Sequence, residues 1–264
     1  PGPLSTVYAS EDGANWYQKT RSPEWAGRFD ASVVSHADRL WLIGGYGGPE
    51  NPDAQFHDVY ASTDGGQWTL VTGDAGWSPR HSAAALSFKG QLVVIGGEDN
   101  DMRLADVWMS QDGIEWNRVV EELPFRVPDS KSVLVHDDKI WALGVRAPAP
   151  GKRIWTSLDG QLQVWNSEDG IHWSQVETDE SWPRHPRLSA HAHAGQIWIA
   201  GSDSEDSTAE NTMHFYCSSD GVKWTKQLDR LAGDPSSTDL VSLGTRLWVL
   251  DKWSESVSYT TKAN

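Results

Sequence analysis

The segment STDGGQW, residues 62–68, is one of five copies of the pattern S-x-D-G-x-x-W in this chain of 264 residues. The other four copies are SEDGANW at 10–16, SQDGIEW at 110–116, SEDGIHW at 167–173 and SSDGVKW at 218–224. The copies recur at a spacing of about 50 residues, and self-similarity at such a period marks a repeat architecture. The sequence therefore predicts several copies of one small structural unit.

Each copy has the chemistry of a tight turn between two strands. Asp-Gly between two strand-forming runs is a strong hairpin signal, because glycine adopts a positive φ without steric cost. The serine and aspartate side chains can accept hydrogen bonds from backbone N–H groups of the turn. The tryptophan can cover the hairpin with apolar surface. We therefore interpret all five copies as structural corners.

Four short strand signals fill each repeat. A first run (for example SAAALSF, 82–88) is followed by a turn and by a strongly apolar second run that ends near glycine (LVVIGG, 92–97). A third run (DVWMS, 106–110) leads through the corner into a fourth strand that begins at the tryptophan. Four strands per repeat predict an all-β fold, a β-propeller of four-stranded blades. The predicted units of this single domain are 1–20 (a closing hairpin), 28–72, 80–121, 129–178, 185–228 and 235–264.

The repeats resemble the kelch family of β-propellers, to which the central domain of galactose oxidase is related. The resemblance rests on the doublets Gly44-Gly45 and Gly96-Gly97, on an aromatic residue in the third strand and on the tryptophan after the hairpin. The later repeats depart from the pattern, since the doublet becomes Gly144-Val145 and Gly201-Ser202. The corner also resembles a shortened Asp-box of sialidases, where the box lies away from the active site. The resemblance implies the fold and leaves the activity open.

The number of repeats predicts five blades, closed by the N- and C-terminal strands. The first corner precedes any first strand, and the last repeat ends after a third-strand signal at residues 256–260. Residues 7–10 and 257–260 then compete for one third-strand position, which raises a strand-exchanged homo-oligomer as an option. A six- or seven-bladed parent propeller is the alternative.

Composition excludes some partners. The net charge is −15, and such a surface repels phosphate, so we expect neither nucleic acid nor an anionic membrane as a partner. No apolar run approaches the roughly 20 residues of a membrane span. The single cysteine, Cys217, excludes an internal disulfide and a cysteine-based zinc site.

The candidate site residues come from loops on the face opposite the tight turns, where propellers usually carry function. The ligand-binding candidates are Arg28, Arg80, Arg184, Arg187, Tyr46, Arg146, Trp25, Trp77 and Trp182. Candidates for proton transfer are Glu98, Asp99, His81 and His185. The arginines either bond to backbone carbonyls of the next blade or form a site for an anion. The tryptophans either pack between blades or stack on a sugar.

Metal and cofactor binding are not predicted. His36, His136 and His193 take the same place in three repeats, but apolar residues take it in the others, which favours packing. The chain contains no nucleophile elbow, phosphate-binding loop, dinucleotide fingerprint or zinc-protease motif. We expect no cofactor and no metal.

Two functions remain open from the sequence. The first is a non-catalytic module that presents its variable loop face to a protein or to a small anionic or sugar ligand. The second is an enzyme acting on a sugar or acidic metabolite, as sialic-acid mutarotases with a similar fold do. In that case Arg28, Arg80 and Arg184 would hold the anion, while Glu98 or Asp99 and His81 or His185 would move protons.

Overall fold

The computed structural model describes residues 5–20, 24–48, 51, 53–99, 102–146, 162–179, 188–201, 212–232, 238–251 and 257–260. In this part of the chain the regular structure is almost entirely β, with one 3₁₀ turn at Ser130–Ser132. The chain divides into two compact units, Pro1–Leu123 and Pro124–Asn264.

The first unit contains a hairpin and two four-stranded sheets. The N-terminal hairpin pairs β1 (Val7–Ala9) with β2 (Tyr17–Thr20). Sheet 1 consists of β3 (Ser32–His36), β4 (Arg39–Ile43), β5 (Val59–Ser62) and β6 (Thr69–Thr72). Sheet 2 consists of β7 (Ala84–Phe88), β8 (Gln91–Ile95), β9 (Val107–Ser110) and β10 (Asn117–Val120).

The second unit contains three sheets. Sheet 3 consists of β11 (Phe125–Arg126), β12 (Val133–His136), β13 (Lys139–Arg146), β14 (Leu162–Ser167) and β15 (Ser174–Val176). Sheet 4 consists of β16 (Leu188–His193), β17 (Gln196–Gly201), β18 (Thr212–Ser218) and β19 (Thr225–Ala232). Sheet 5 consists of β20 (Thr238–Leu243), β21 (Arg246–Asp251) and β22 (Val257–Thr260).

Sheets 1 to 4 each contain the antiparallel four-strand meander of a propeller blade, and in sheet 3 the short β11 adds to the edge of β13. Neighbouring sheets meet at their first strands: β3 contacts β7, β12 contacts β16, and β16 contacts β20. The all-β, propeller-like arrangement predicted from the repeats is therefore confirmed for four blades. Sheet 5 has three strands in the described part of the chain, so a fifth complete blade is not confirmed.

Burial follows the strand order within a sheet. The second strands are enclosed on both faces, and Leu92, Val93, Val94 and Ile95 of β8 have no exposed surface. This is why the second run reads as a continuous apolar stretch in the sequence rather than as an alternation. The outermost strands β6 and β10 begin with exposed residues.

The five corners share one geometry. In sheet 2, the Gly113 N–H donates to Ser110 Oγ at 2.8 Å, and the N–H groups of Ile114 and Glu115 donate to Asp112 Oδ1. Gly113 has a φ of 74°, and the Trp116 indole N–H donates to its carbonyl oxygen at 3.0 Å. The corresponding bonds form in the other four copies. Serine, aspartate and glycine are thus each needed for a different bond or dihedral angle.

The three histidines at the ends of first strands serve packing between sheets. His36 Nδ1 lies 2.8 Å from Ser87 Oγ of β7, and His193 Nδ1 lies 2.9 Å from Ser242 Oγ of β20. His136 has no serine opposite it in β16 and instead contacts the carbonyl oxygen of Ser219.

Candidate functional site

Arg80, a predicted ligand-binding residue, is buried at the joint between sheets 1 and 2. Its guanidinium donates to Asp106 through two bonds of 2.6 and 2.9 Å, and a third bond of 2.9 Å reaches the carbonyl oxygen of Gly96. Its own carbonyl oxygen accepts from the Gly45 N–H at 2.8 Å. The residue is 1% exposed. The Arg80 side chain is therefore bonded within sheet 2, and its backbone carbonyl is bonded to the end of the second strand of sheet 1.

Arg28 repeats this arrangement at the start of sheet 1. It donates to Asp58 at 2.6 and 3.1 Å and to the carbonyl oxygen of Gly44 at 2.8 Å. Both arginine side chains bond within the sheet that they precede, to a backbone carbonyl oxygen and to a carboxylate. These contacts use both guanidinium groups inside the protein, and they favour a structural role over an anion site.

The electrostatics of the Arg80 pair follow from its burial. Burial alone would raise the pKa of Asp106, but the hydrogen bond and positive charge of Arg80, together with the Trp108 indole N–H, hold that pKa below its usual value. Asp106 thus remains ionised, and the charge of Arg80 is neutralised where it lies.

The glycine doublet has a steric reason at this joint. A Cβ on Gly44, which has a φ of 61°, would lie 2.6 Å from the carbonyl oxygen of Arg80. A Cβ on Gly97 would lie 2.8 Å from the carbonyl oxygen of His81. The doublets therefore allow the incoming loop to approach the end of the second strand.

Four side chains on the loops above this joint form what we call the loop cluster: Tyr46, His81, Glu98 and Arg103. The rings of Tyr46 and His81 have centroids 4.6 Å apart. Glu98 accepts a bond of 2.8 Å from Arg103, and its other carboxylate oxygen lies 4.0 Å from His81 Nε2. Paired backbone bonds between His81 and Glu98 fix the two loops to one another.

The loop cluster offers donors and acceptors with a balanced charge. Burial, reinforced by the negative charges of Asp30 and Glu98, raises the pKa of Tyr46, so its phenol stays protonated and can donate a hydrogen bond. His81 Nδ1 is buried and has no hydrogen-bond partner among the described residues. The side chains of His81, Arg103 and Glu98 are 17%, 24% and 31% exposed, so the cluster is accessible from solvent.

Two of the candidate tryptophans, Trp25 and Trp77, pack inside the sheets that they precede. Trp25 meets Trp68 edge-on with ring centroids 4.7 Å apart, and Trp77 meets Trp116 in the same way at 4.5 Å. Phe125 takes this place in sheet 3, against Trp165 and Trp173. Because Trp25 and Trp77 are at least 92% buried, these contacts favour packing over a sugar-stacking surface.

The remaining candidates divide into three groups. Asp99 lies beside the loop cluster, where its carboxylate accepts from the Met102 N–H at 2.8 Å. Arg146 is exposed at the end of β13, in the other unit. Trp182, Arg184, His185 and Arg187 lie outside the described residues.

Sequence reasoning missed Asp58, Asp106 and Arg103. The two aspartates had a detectable signal, because D-V-Y and D-V-W open the third strand in the same two repeats that carry the arginines. In the third repeat Gln163 takes the place of Asp106, and its Oε1 is buried without a hydrogen-bond partner among the described residues. Arg103 had no signal, since it lies in a loop of unique sequence.

Within the described ranges, no group of three or more His, Cys, Asp or Glu side chains could hold a metal ion. No helix in the same part of the chain is long and apolar enough to cross a membrane. A scan against models of known protein families finds none that matches this chain, and a search of curated proteins finds no match either.

Proposed function

We propose that this chain is a non-catalytic binding module that holds a neutral glycan on its variable loop face, at the loop cluster. One observation carries the proposal: Arg28 and Arg80 are engaged by Asp58 and Asp106, while the accessible side chains nearby have a balanced charge. An enzyme acting on an acidic metabolite would require those arginines to face its ligand. The contacts therefore support the binding module over the enzyme.

The loop cluster suits the hydroxyl-rich surface of a sugar. The half-buried rings of Tyr46 and His81 provide an apolar face, and carboxylate and guanidinium groups exchange hydrogen bonds with hydroxyl groups. The Glu98 carboxylate and the negative charge of Asp30 disfavour an anionic ligand. A neutral glycan has the hydroxyl groups that these side chains can bind and lacks the negative charge that they disfavour.

A glycan array followed by calorimetry tests this function. We expect neutral glycans to bind and both Tyr46→Ala and Glu98→Ala to weaken binding about tenfold or more, while Tyr8→Ala, an exposed tyrosine on the N-terminal hairpin, leaves it unchanged. Selective binding of acidic glycans, or equal affinities for all variants, would contradict the proposal. Turnover of a sugar that Glu98→Gln abolishes would favour the enzyme instead.

We also propose that the chain is a kelch-like, five-bladed propeller with Asp-box-like corners, in which the N-terminal hairpin completes sheet 5. The hairpin carries the fifth corner, and its Trp16 is 59% exposed whereas Trp68 is 6% exposed. In sheet 1 a preceding aromatic residue, Trp25, covers the corner indole. The exposure of Trp16 is therefore what we expect of a corner whose other blade strands do not cover it.

Pulsed electron resonance with spin labels at Gln18 and Ser258 tests this closure, because adjacent strands lie about 4.8 Å apart. Neighbouring-strand distances in a monomer support closure by the chain itself. The same distances in a dimer only, on light scattering, support strand exchange between two copies. Distant labels in every form would contradict the five-bladed assignment.

A further inference from the structure

A cleft of about 550 Å³ lies beside the corner of sheet 1, apart from the loop cluster. Small-molecule sites have volumes of roughly 300–1,000 Å³, so the cleft is large enough for a small ligand. Its lining residues come from the corner, from the two strands that flank it, from the first position of β4 and from the segment before β3. The residues that carry its chemistry are Glu24, Arg39, Thr63, Gly66, Gln67 and Trp68.

Gly66 distinguishes this corner from the others. The residue after Asp-Gly is Ala14 in the first corner and an exposed Ile114, Ile171 or Val222 in the remaining three. Glycine is not required here for its backbone, since a positive φ occurs at Gly65 and not at Gly66. At this position the three later corners have an isoleucine or valine side chain, and Gly66 leaves that space open.

Arg39 lacks the carboxylate that its counterpart has. Lys139 is the first residue of the second strand in sheet 3, as Arg39 is in sheet 1, and it pairs with Glu168 at 3.0 Å. Thr63 takes the position of Glu168 in the sheet 1 corner. Among the described residues, Arg39 forms no ion pair, and its side chain is exposed on the wall of the cleft.

Glu24 adds the opposite charge. It precedes Trp25, and Gly76 takes this position before Trp77 in sheet 2. In the part of the chain that the structure describes, Glu24 has no ion pair with any lysine, arginine or histidine, and it is exposed. Sheet 1 thus combines an acid, a base without an ion pair among the described residues, and a corner without a side chain after Asp-Gly around one cleft.

The hydrogen bonds of the corner itself leave these groups available. Ser62 Oγ and Asp64 Oδ1 are used by backbone N–H groups of the turn, and the Trp68 indole N–H donates to the Gly65 carbonyl oxygen. Thr63 and Gln67 remain exposed and can bond to a ligand. The corner is therefore rigid without using the side chains that line the cleft.

We infer that this cleft binds a small zwitterion, with its carboxylate on Arg39, its ammonium group on Glu24 and its carbon chain against Trp68. A guanidinium binds a carboxylate through two parallel bonds, and a carboxylate side chain binds an ammonium group in the same charge-assisted way. Glu24 would repel a ligand that carries only a negative charge, and Arg39 would repel one that carries only a positive charge. A ligand with both charges is attracted to both side chains. The site is independent of the glycan function proposed above.

The test uses the full chain with ¹⁵N-labelled tryptophan, in which the indole signal of Trp68 is assigned through Trp68→Phe. The probes are glycine, β-alanine, 4-aminobutyrate and glycylglycine, whose charges lie at increasing separation, with acetate and methylamine as single-charge controls. We expect one or more zwitterions to shift the Trp68 signal at millimolar concentration, with acetate and methylamine at least about tenfold weaker. Preference for glycylglycine would identify a peptide source, and preference for the others a free amino acid.

Variants of exposed residues complete the test by calorimetry, which does not depend on the Trp68 assignment. Arg39→Gln and Glu24→Gln should each weaken binding about tenfold or more, and Gly66→Ile should abolish it. Gln91→Ala, at the position of Arg39 in sheet 2, should leave affinity unchanged. The inference is overturned if no zwitterion binds at up to about 50 mM, if Gly66→Ile still binds, or if acetate binds as well as the zwitterions.

Discussion

The indole ring of Trp41, in the second strand of sheet 1, lies directly against the backbone of Gly113, in the corner of sheet 2. A Cβ on Gly113 would lie 2.1 Å from Trp41 Cζ3. We therefore expect Gly113→Ala to destabilise the first unit, because the indole is buried and its N–H is fixed on the His36 carbonyl oxygen at 3.0 Å. Chemical denaturation followed by fluorescence measures the loss.

Gly65→Ala is the matched control for this prediction. Gly65 and Gly113 have φ values of 72° and 74°, so both replacements carry the same backbone strain. At Gly65, however, the nearest side-chain atom to a Cβ is Leu40 Cδ1, at an ordinary 3.5 Å. Gly113→Ala should cost about 1–3 kcal/mol more than Gly65→Ala, as overpacking does. Equal losses would show that the indole does not press on the corner.

Removing Arg80 should destabilise the protein strongly. Arg80→Ala leaves the buried carboxylate of Asp106 without its partner, and breaking one side of a buried ion pair costs about 3–5 kcal/mol. A double-mutant cycle with Asp106→Asn should return part of that loss, because the two charges are then removed together.

Arg118→Ala provides the control for an exposed pair, since Arg118 and Glu121 are 3.7 Å apart and largely solvated. Its effect should stay below about 1 kcal/mol. If Arg80→Ala is no more harmful than Arg118→Ala, Arg80 is not the structural joint that its contacts indicate. Its predicted role in ligand binding would then regain support.

The corners and the strand order were readable from the sequence because both depend on local chemistry. Serine, aspartate, glycine and tryptophan each make a bond within four residues of their own position, so the motif alone specifies the turn. The apolar second runs likewise report burial on both faces, as β8 shows. These features recur in each repeat, and a pattern that recurs at equivalent positions is unlike a chance match at a single position.

The roles of the loop residues could not be read in the same way. An arginine before a strand has the same sequence signal whether it faces a ligand or an aspartate 26 residues away, as Arg80 does. Arg103 lies in a loop with no counterpart in the other repeats, and Gly66 differs from its counterparts without showing by itself that a cleft lies beside it. The repeat pattern reveals the scaffold, and departures from it become informative only once the structure shows which of them meet.

Acid should weaken the corners. The backbone N–H groups of Ile114 and Glu115 hold the pKa of Asp112 below the usual 3.8. Asp12, Asp64, Asp169 and Asp220 have lowered pKa values for similar reasons, although burial opposes the shift at each of them and is the largest single cause at Asp169. Because the folded chain binds fewer protons, the stabilisation is present above about pH 4 and is lost as the pH falls towards the folded pKa values.

Denaturation midpoints measured from neutral pH down to about pH 2.5 test this dependence. Asp112→Asn should lower stability at neutral pH and make the fall below about pH 4 less steep. Glu115→Gln, in the same corner, keeps the backbone bond to Asp112 and should retain the steep fall. Identical slopes for Asp112→Asn and the unaltered chain would disprove the contribution of this carboxylate.

A second pH dependence should arise between sheets 4 and 5. His191 Nε2 and His193 Nδ1 each lie 2.9 Å from Ser242 Oγ, and burial, with the nearby His193 charge, lowers the pKa of His191 below 6.5. The unfolded chain therefore binds a proton that the folded chain rejects, so stability should fall as the pH drops below about 6.5. Hydrogen exchange of β16 amides, compared between about pH 8 and pH 5, measures this loss.

His191→Gln should remove most of this dependence, because glutamine remains neutral across the range and can still bond to Ser242. His136→Gln is the control, since His136 lies at the end of a first strand in the same unit but contacts a carbonyl oxygen. Ser242→Ala should destabilise β16 by about 1 kcal/mol at about pH 8, because both histidines lose the hydroxyl that they contact. Unchanged exchange in β16 of Ser242→Ala would show that the two histidines do not hold sheet 5 through this serine.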